Sequence, residues 1–395
     1  MNKTARGSRF QIGIYGRTNS GKSSLVNAIF KKEISIVSDQ EGTTTDPVYK
    51  NIELDGLGPL CFIDTAGLMD GTDLGDLRIK RTLETLEEVD LAIYLVDPAR
   101  PDLENYRGLK AEFDKRKIQH ILVCSKLDRL DQEARLELMG LFRGEELNFV
   151  SSQDGQGLEE VLGLIRQEIS QTRDSLLGGL VEPGASLLLV VSIDSEYPSS
   201  RLILPQSQLI REALGNGNLV SIVRQEELEA YLAQHRRPDL IVADSKIFKD
   251  IAGLVGDIGL TSFSILMANY KGDVGVFIEG IRAMEAMRKD SGRRVLIYEV
   301  CNHTANHEDI GRVKIPRLLR KIFQEDLEID FAYSKDFSQF KDYDLLVHCG
   351  GCMENRQTML NKIRICQEEG VALVNYGMLL AYGAGILDRA VEIFK

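Results

Sequence analysis

The chain has 395 residues, 43% of them hydrophobic and 27% charged, and a net charge of −12 at pH 7. That length exceeds one ordinary core, so two or three domains are expected, and the composition is globular rather than disordered. The acidic balance argues against a protein that grips nucleic acid mainly through its phosphates, which needs a clustered cationic face. Up to about residue 172, short apolar runs alternate with helical spacing. Residues 10–15 read as a strand feeding a Gly-rich loop, and residues 22–30 as a helix through Leu25, Val26 and Ile29. Residues 48–54 and 57–63 flank Asp55-Gly56, which predicts an antiparallel hairpin closed by a type I′ turn. Residues 91–96, 121–124 and 149–150 are further buried strands, so a mostly parallel sheet with crossover helices is expected.

Thr172-Arg173-Asp174 and Gly178-Gly179 mark a linker. A second block opens with the apolar strand 186–193, continues with helices over 206–214 and 225–234, and has another strand at 240–243. A third starts near Asp273, with strands at 294–300, 345–347 and 371–375; Ile265-Leu266-Met267 fits either block. The expected architecture is three α/β domains in series, a P-loop fold over 1–172 followed by smaller sheet domains over 173–270 and 271–395. The most apolar stretch, residues 187–193, is far shorter than the roughly 20 residues of a membrane span, so no membrane contact is expected. Met1 to Ser8 carries charge but no apolar run like that of a signal peptide. Six cysteines are too few and too clustered for a disulfide framework, so a cytoplasmic protein is expected.

The run Gly16-Arg17-Thr18-Asn19-Ser20-Gly21-Lys22-Ser23, followed by Ser24, fits Gly-x-x-x-x-Gly-Lys-Ser after a strand and at the start of a helix. Glycines let backbone N–H groups turn in around phosphates, and the helix N-terminus adds positive potential. Lys22 is expected on the β/γ-phosphates and the Ser23 hydroxyl on Mg²⁺. In Asp64-Thr65-Ala66-Gly67, Asp64 can hold Mg²⁺ through water and the Gly67 N–H can sense the γ-phosphate. In Gly42-Thr43-Thr44-Thr45-Asp46, Thr44 is the favoured partner of Mg²⁺, with Thr43 or Thr45 as alternatives, which makes the loop a nucleotide-dependent switch. Ser125-Lys126-Leu127-Asp128 ends a strand; there the Asp128 carboxylate can pair with the guanine N1 and N2 hydrogens that adenine lacks, so GTP is expected over ATP.

This order of motifs resembles the TrmE/Era/EngA branch of GTPases. Asn19 is similar to the asparagine by which some members of that branch bind a potassium ion that accelerates hydrolysis. Leu68 stands where Ras-like enzymes carry a water-positioning glutamine, so slow intrinsic turnover is expected. The family's guanine motif begins with Asn where this chain has Ser125, which implies weaker nucleotide binding with guanine choice kept by Asp128. Ser151-Ser152-Gln153 resembles the last guanine-contacting loop.

Of five histidines and six cysteines, six fall in two segments, Cys301-Asn302-His303-Thr304-Ala305-Asn306-His307 and His348-Cys349-Gly350-Gly351-Cys352, each directly after a predicted strand. Loops at the carboxyl ends of two strands can converge on one crevice. Three readings compete: inert buried cysteines, a zinc site of four Cys and His ligands, and an iron–sulfur cluster on the thiolates of Cys301, Cys349 and Cys352. Cys301-x-His303, then 44 residues, then His348-Cys349-x-x-Cys352 resembles the signature of the HydF family, GTPases that mature [FeFe]-hydrogenase. The resemblance implies a dimerisation domain, a cluster-binding domain and a homodimer or higher homo-oligomer. It implies a [4Fe–4S] cluster on Cys301, Cys349 and Cys352, with His303 and His348 supporting the ligands or serving as exchangeable ones. It also implies a carrier role, in which a diiron precursor passes from two radical-SAM partner enzymes to the apo-hydrogenase. The alternative is a potassium-dependent GTPase like Era or TrmE, with structural zinc, acting on tRNA or the ribosome. Cys61 and Cys124 read as core, Cys366 as helix packing and His235 as a helix-end cation; His307 fits either metal binding or a solvent-facing position, and His120 carries no signal.

Overall fold

The computed structural model describes residues 7, 9–32, 38–41, 48–54, 57–65, 82–172, 175–192, 202–288, 292–300, 310–324, 326–333 and 337–395. The chain divides into two compact units, residues 1–173 with 355–361, and residues 174–354 with 362–395.

The first unit is built on a sheet of order β2-β3-β4-β1-β5-β6-β7. Its strands are β1 (Phe10–Tyr15), β2 (Ser38–Glu41), β3 (Val48–Leu54), β4 (Gly58–Asp64), β5 (Leu91–Val96), β6 (Gln119–Cys124) and β7 (Leu147–Phe149). β1 is buried along its whole length because it runs parallel between β4 and β5, with a covered face on either side. The helix Lys22–Lys32 follows and buries Leu25, Val26 and Ile29, the stripe its spacing predicts. β3 and β4 pair antiparallel as expected, but the last pair is Leu54 with Gly58. Three residues therefore separate the strands rather than the two of a type I′ turn. Gly58 accepts the positive φ of 73° that such a longer loop ends on. Asp55 and Gly56 themselves lie outside the described residues.

The second unit carries two parallel four-stranded sheets, one of order β11-β10-β8-β9 and one of order β13-β12-β14-β15. The first comprises β8 (Ser186–Val191), β9 (Leu219–Arg224), β10 (Leu240–Ala243) and β11 (Gly259–Ser262); the second β12 (Arg293–Tyr298), β13 (Leu327–Ala332), β14 (Leu345–His348) and β15 (Ala372–Asn375). A mixed α/β chain with a P-loop domain and two further parallel-sheet domains in series is thus observed, as the alternation of strands and helices implied. Ile265-Leu266-Met267 lie in the helix Phe263–Lys271, which follows β11 and which Ser262 caps by accepting from the Ile265 N–H at 3.1 Å. β2, β9, β11 and β13 have no counterpart in the sequence expectations. All four are sheet edges; β9 and β13 are mixed in exposure, and β11 is a four-residue segment with one glycine. Among the described residues no helix is long and apolar enough to cross a membrane.

Candidate functional site

The first site lies at the carboxyl ends of β1, β4 and β6, the edge at which open parallel sheets bind ligands. β1 opens directly into the Gly-rich loop. Gly16 has φ 130°, and a Cβ there would sit 2.3 Å from the Leu95 carbonyl oxygen, so no other residue makes this turn without displacing β5. Asn19 is exposed in a left-handed conformation, φ 62°. Lys22 is buried, and its Nζ donates to the carbonyls of Gly16 and Arg17, each at 2.7 Å, which holds the ammonium against the loop it serves. Arg17 also pairs with Asp102 at 3.4 Å. Among the described residues, the buried hydroxyls of Thr18 and Ser20 meet no hydrogen-bond partner. Such groups are uncommon, and here both line the phosphate loop. Ser23 Oγ donates to Asp64 Oδ2 at 2.6 Å, so the two groups expected to share Mg²⁺ already meet. Ser24 is exposed on the same helix turn.

The base-recognition segments also converge. The Leu127 N–H donates to the Val150 carbonyl at 3.1 Å, which ties the segment Ser125 to Asp128 to that carrying Ser151 and Ser152. Ser125 is buried, and both its N–H (3.0 Å) and its hydroxyl (3.1 Å) donate to the Val96 carbonyl. The hydroxyl is thus spent on the end of β5, where a longer amide would reach toward Gly21. Lys126, at φ 56°, donates to Asp97 Oδ2 at 2.7 Å, and Asp128 is exposed in the turn Leu127–Arg129. Ser151 Oγ accepts from the N–H groups of Gln153 (3.3 Å) and Asp154 (3.4 Å), and Ser152 is half-buried beside it. Thr43, Thr44, Thr45, Gly67 and Leu68 lie outside the described residues.

The second site lies at the carboxyl ends of β12, β14 and β15. β12 and β14 are parallel neighbours in the register Tyr298 with His348, and the Cys349 N–H donates to the Tyr298 carbonyl at 3.1 Å. The backbone N–H groups of Gly351 and Val300 also point at the Cys349 sulfur. Residues 299–300, which lead into Cys301, therefore run beside the Cys349–Cys352 loop. Cys301, His303 and His307 lie outside the described residues. Among the described residues no group of three or more His, Cys, Asp and Glu side chains forms a metal site. Cys349 and Cys352 are partly buried and form no disulfide among the described residues, and Gly351 between them takes φ 61°. Burial pushes the Cys349 thiol up to about 12, so in the metal-free chain the proton stays on sulfur and a cation must displace it.

His348 is fully buried and stacks on Tyr298, with ring centres 5.4 Å apart. Its Nδ1 lies 2.6 Å from the Cys349 carbonyl, which only accepts, so Nδ1 carries the proton. Nε2 then accepts from the ammonium of Lys362 at 2.9 Å. Burial first, and the nearby Lys362 second, depress the His348 pKa and keep the ring neutral. Lys362 also donates to Glu354 Oε1 and lies 4.1 Å from the Tyr298 ring centre. Burial raises the Glu354 carboxyl, but the Lys362 ammonium outweighs it and holds its pKa below the ordinary carboxylate value. Glu354 Oε2 lies 3.2 Å from the unprotonated His348 Nε2 and meets no hydrogen-bond donor among the described residues. Two thiols on a tight loop, backed by buried cations, are a donor set that suits a thiolate-bound metal. Glu354, Lys362 and Lys271 were not singled out in the sequence. The available signal was a lysine within an apolar helical stripe: Lys362 beside Met359, Ile363 and Cys366, and Lys271 closing the apolar helix Phe263–Lys271.

Comparison with known proteins bears on both sites. Residues 176–272 match the family described as hydrogen maturase F dimerization domain, and residues 275–393 its tetramerization domain. Residues 11–126 match the family described as 50S ribosome-binding GTPase. The tRNA modification GTPase MnmE of Aquifex aeolicus is 36% identical over 169 residues, 40% of this chain and 35% of that protein. GTPase Der of Nautilia profundicola is 39% identical over 126 residues, 31% of this chain and 27% of that protein. The chain thus spans about a third of the length of these curated relatives, 35% of the first and 27% of the second. The G domain of the T. maritima FeoB iron transporter aligns at 24% identity and TM-score 0.29, covering 41% of this chain and 98% of that one. Era bound to MgGDPNP and a 16S ribosomal RNA segment aligns at 18% identity and TM-score 0.33, covering 54% and 91%. Scores this low carry no argument.

Proposed function

Because this chain belongs to the hydrogen maturase F family, with a GTPase domain ahead of that family's dimerization and tetramerization domains, we propose that it is a GTP-hydrolysing scaffold of [FeFe]-hydrogenase maturation. Its task is to hold a [4Fe–4S] cluster and a diiron precursor and to deliver the precursor to the apo-hydrogenase. The observation that carries this reading is the adjacency of β12 and β14, which brings the segment entering Cys301 beside the Cys349–Cys352 loop. Cys301, Cys349 and Cys352 are the thiolate ligands; His303 is the exchangeable ligand, and His348, with both ring nitrogens engaged inside the protein, supports the loop from behind. A cluster so held supplies an iron with an open or weakly held position.

In the GTPase domain, Lys22 neutralises the β/γ-phosphates, and Ser23, Thr44 and Asp64 hold Mg²⁺ directly or through water, with Thr43 beside them. The Gly67 N–H meets the γ-phosphate, Asn19 binds potassium, and Asp128 chooses guanine. Partners are two radical-SAM enzymes, the apo-hydrogenase and further copies of this chain, in the cytoplasm. The MnmE relatives match the G domain over 40% of this chain or so, and their connection with tRNA stays with them.

Anaerobic reconstitution of the full chain with iron and sulfide tests the reading. The wild type is expected brown, with an electron paramagnetic resonance signal on reduction that Cys301→Ser, Cys349→Ser and Cys352→Ser each abolish. A colourless chain holding zinc and no sulfide overturns it. Phosphate release from GTP is expected to depend on Lys22 and to rise when potassium replaces sodium.

A further inference from the structure

The cysteine loop is gripped by two buried ammonium groups from different parts of the second unit. Lys271 closes the helix Phe263–Lys271, which packs with the first parallel sheet, and is 1% exposed. Its Nζ donates to the carbonyls of Gly351 (2.8 Å), Cys352 (3.2 Å) and Glu354 (2.5 Å). Lys362, fully buried on the other side, holds the Glu354 carboxylate and His348, whose Nδ1 in turn bonds the Cys349 carbonyl. The residue that precedes the loop, His348, and the residue that ends it, Glu354, are therefore both fixed by internal charge. Burying an ammonium is costly unless it is well paired. Lys271 draws on three loop carbonyls and on the helix C-terminus, where the backbone dipole favours a cation.

We propose that Lys271 is a positioning residue for the metal-binding thiolates: it locks the Cys349–Cys352 backbone and places a positive charge behind the sulfurs. The cysteine site is then composite. The ligands come from the third sheet, while the residue that shapes their loop comes from the region matched by the dimerization domain, residues 176–272. A buried cation near anionic, thiolate-bound iron slows ligand loss and makes reduction easier, because both the thiolates and the added electron gain favourable interaction. The proposal rests on the reading that Cys349 and Cys352 bind iron.

The test uses the full chain with Lys271→Met, which removes donors and charge, and Lys271→Gln, which keeps an amide donor without charge. In Lys271→Met, iron release to a chelator is expected to speed up about tenfold, in line with the loss of a supporting contact at other metal sites. The midpoint potential moves to more negative values in both variants, and release changes less in Lys271→Gln. Wild-type release and potential in either variant, with its circular dichroism and nucleotide affinity intact, overturns the proposal. In the metal-free chain, Lys271→Met is expected to speed amide hydrogen exchange across residues 349–354 about tenfold, because the Gly351, Cys352 and Glu354 carbonyls lose the donor that fixes them. That readout stands even if the wild type takes up no iron, an outcome that would sink the cluster reading and leave the clamp to be judged on loop exchange alone, where wild-type protection in the variant overturns it.

Discussion

Ser23 Oγ lies 2.6 Å from Asp64 Oδ2, although 41 residues separate them in the chain. The hydroxyl at the start of the helix after β1 and the carboxylate at the end of β4 are held together by the parallel pairing of those strands. A Mg²⁺ ion bound beside the phosphates would take the Ser23 hydroxyl oxygen as ligand in place of this hydrogen bond. Ser23→Ala is expected to cost about 1.5–3 kcal/mol, a loss of about tenfold to a hundredfold in Mg²⁺-dependent GTP affinity. Calorimetry with and without Mg²⁺ measures it, and an unchanged Mg²⁺ dependence argues against the assignment.

Ser125 gives its hydroxyl to Val96, so its contribution to the base and the phosphate loop is small. Ser125→Asn supplies an amide long enough to reach the Gly21 side. It is expected to tighten GTP and GDP binding by about tenfold, one good hydrogen bond's worth, with ATP still excluded. Competition between a fluorescent guanine nucleotide and GTP reads this out; equal affinities for variant and wild type contradict it.

Asp90 ties β1 in place by accepting from the Gln11 N–H at 2.7 Å. Burial raises its carboxyl from 3.8 to about 6, against the opposing pull of that N–H. A raised carboxyl is a folded-state preference for the proton, so its stabilising share is complete below pH 3.8 and is lost as pH rises through about 6. Asp90→Asn keeps the acceptor and removes the charge. Its stability relative to wild type is expected to grow between pH 4 and 6 and to level off above. Urea unfolding at several pH values across that window, with a pH-independent difference, would refute it.

β9 is the edge of its sheet, and it exposes Leu219 at 65% and Ile222 at 44%, with Leu214 at 61% on the preceding helix. An open apolar edge in a region matched by a dimerization domain fits a contact with a second copy. Leu219→Glu with Ile222→Glu is expected to shift the chain toward monomer in light scattering, while nucleotide affinity stays unchanged.

Much of the candidate site was legible because its signals are local. A phosphate loop needs its glycines, lysine and serine within eight consecutive residues between a strand and a helix, and Gly16 to Ser23 has that arrangement. The two cysteine segments were placed at strand ends by short apolar runs that the structure forms as β12 and β14. Where local signals are weak the sequence is silent: β9 and β13 are edges whose half-exposed pattern gives no clean alternation.

The order of domains, the nucleotide motifs and the cysteine positions are encoded by spacing along the backbone and can be read from it directly. What surrounds them depends on how the folded chain brings distant segments together. That Ser125 bonds to Val96, that His348 spends both ring nitrogens inside the protein, and that Lys271 reaches a loop 80 residues away follow from strand register and helix docking. A buried charge is tolerated only where distant groups converge on it, and no local pattern records that convergence.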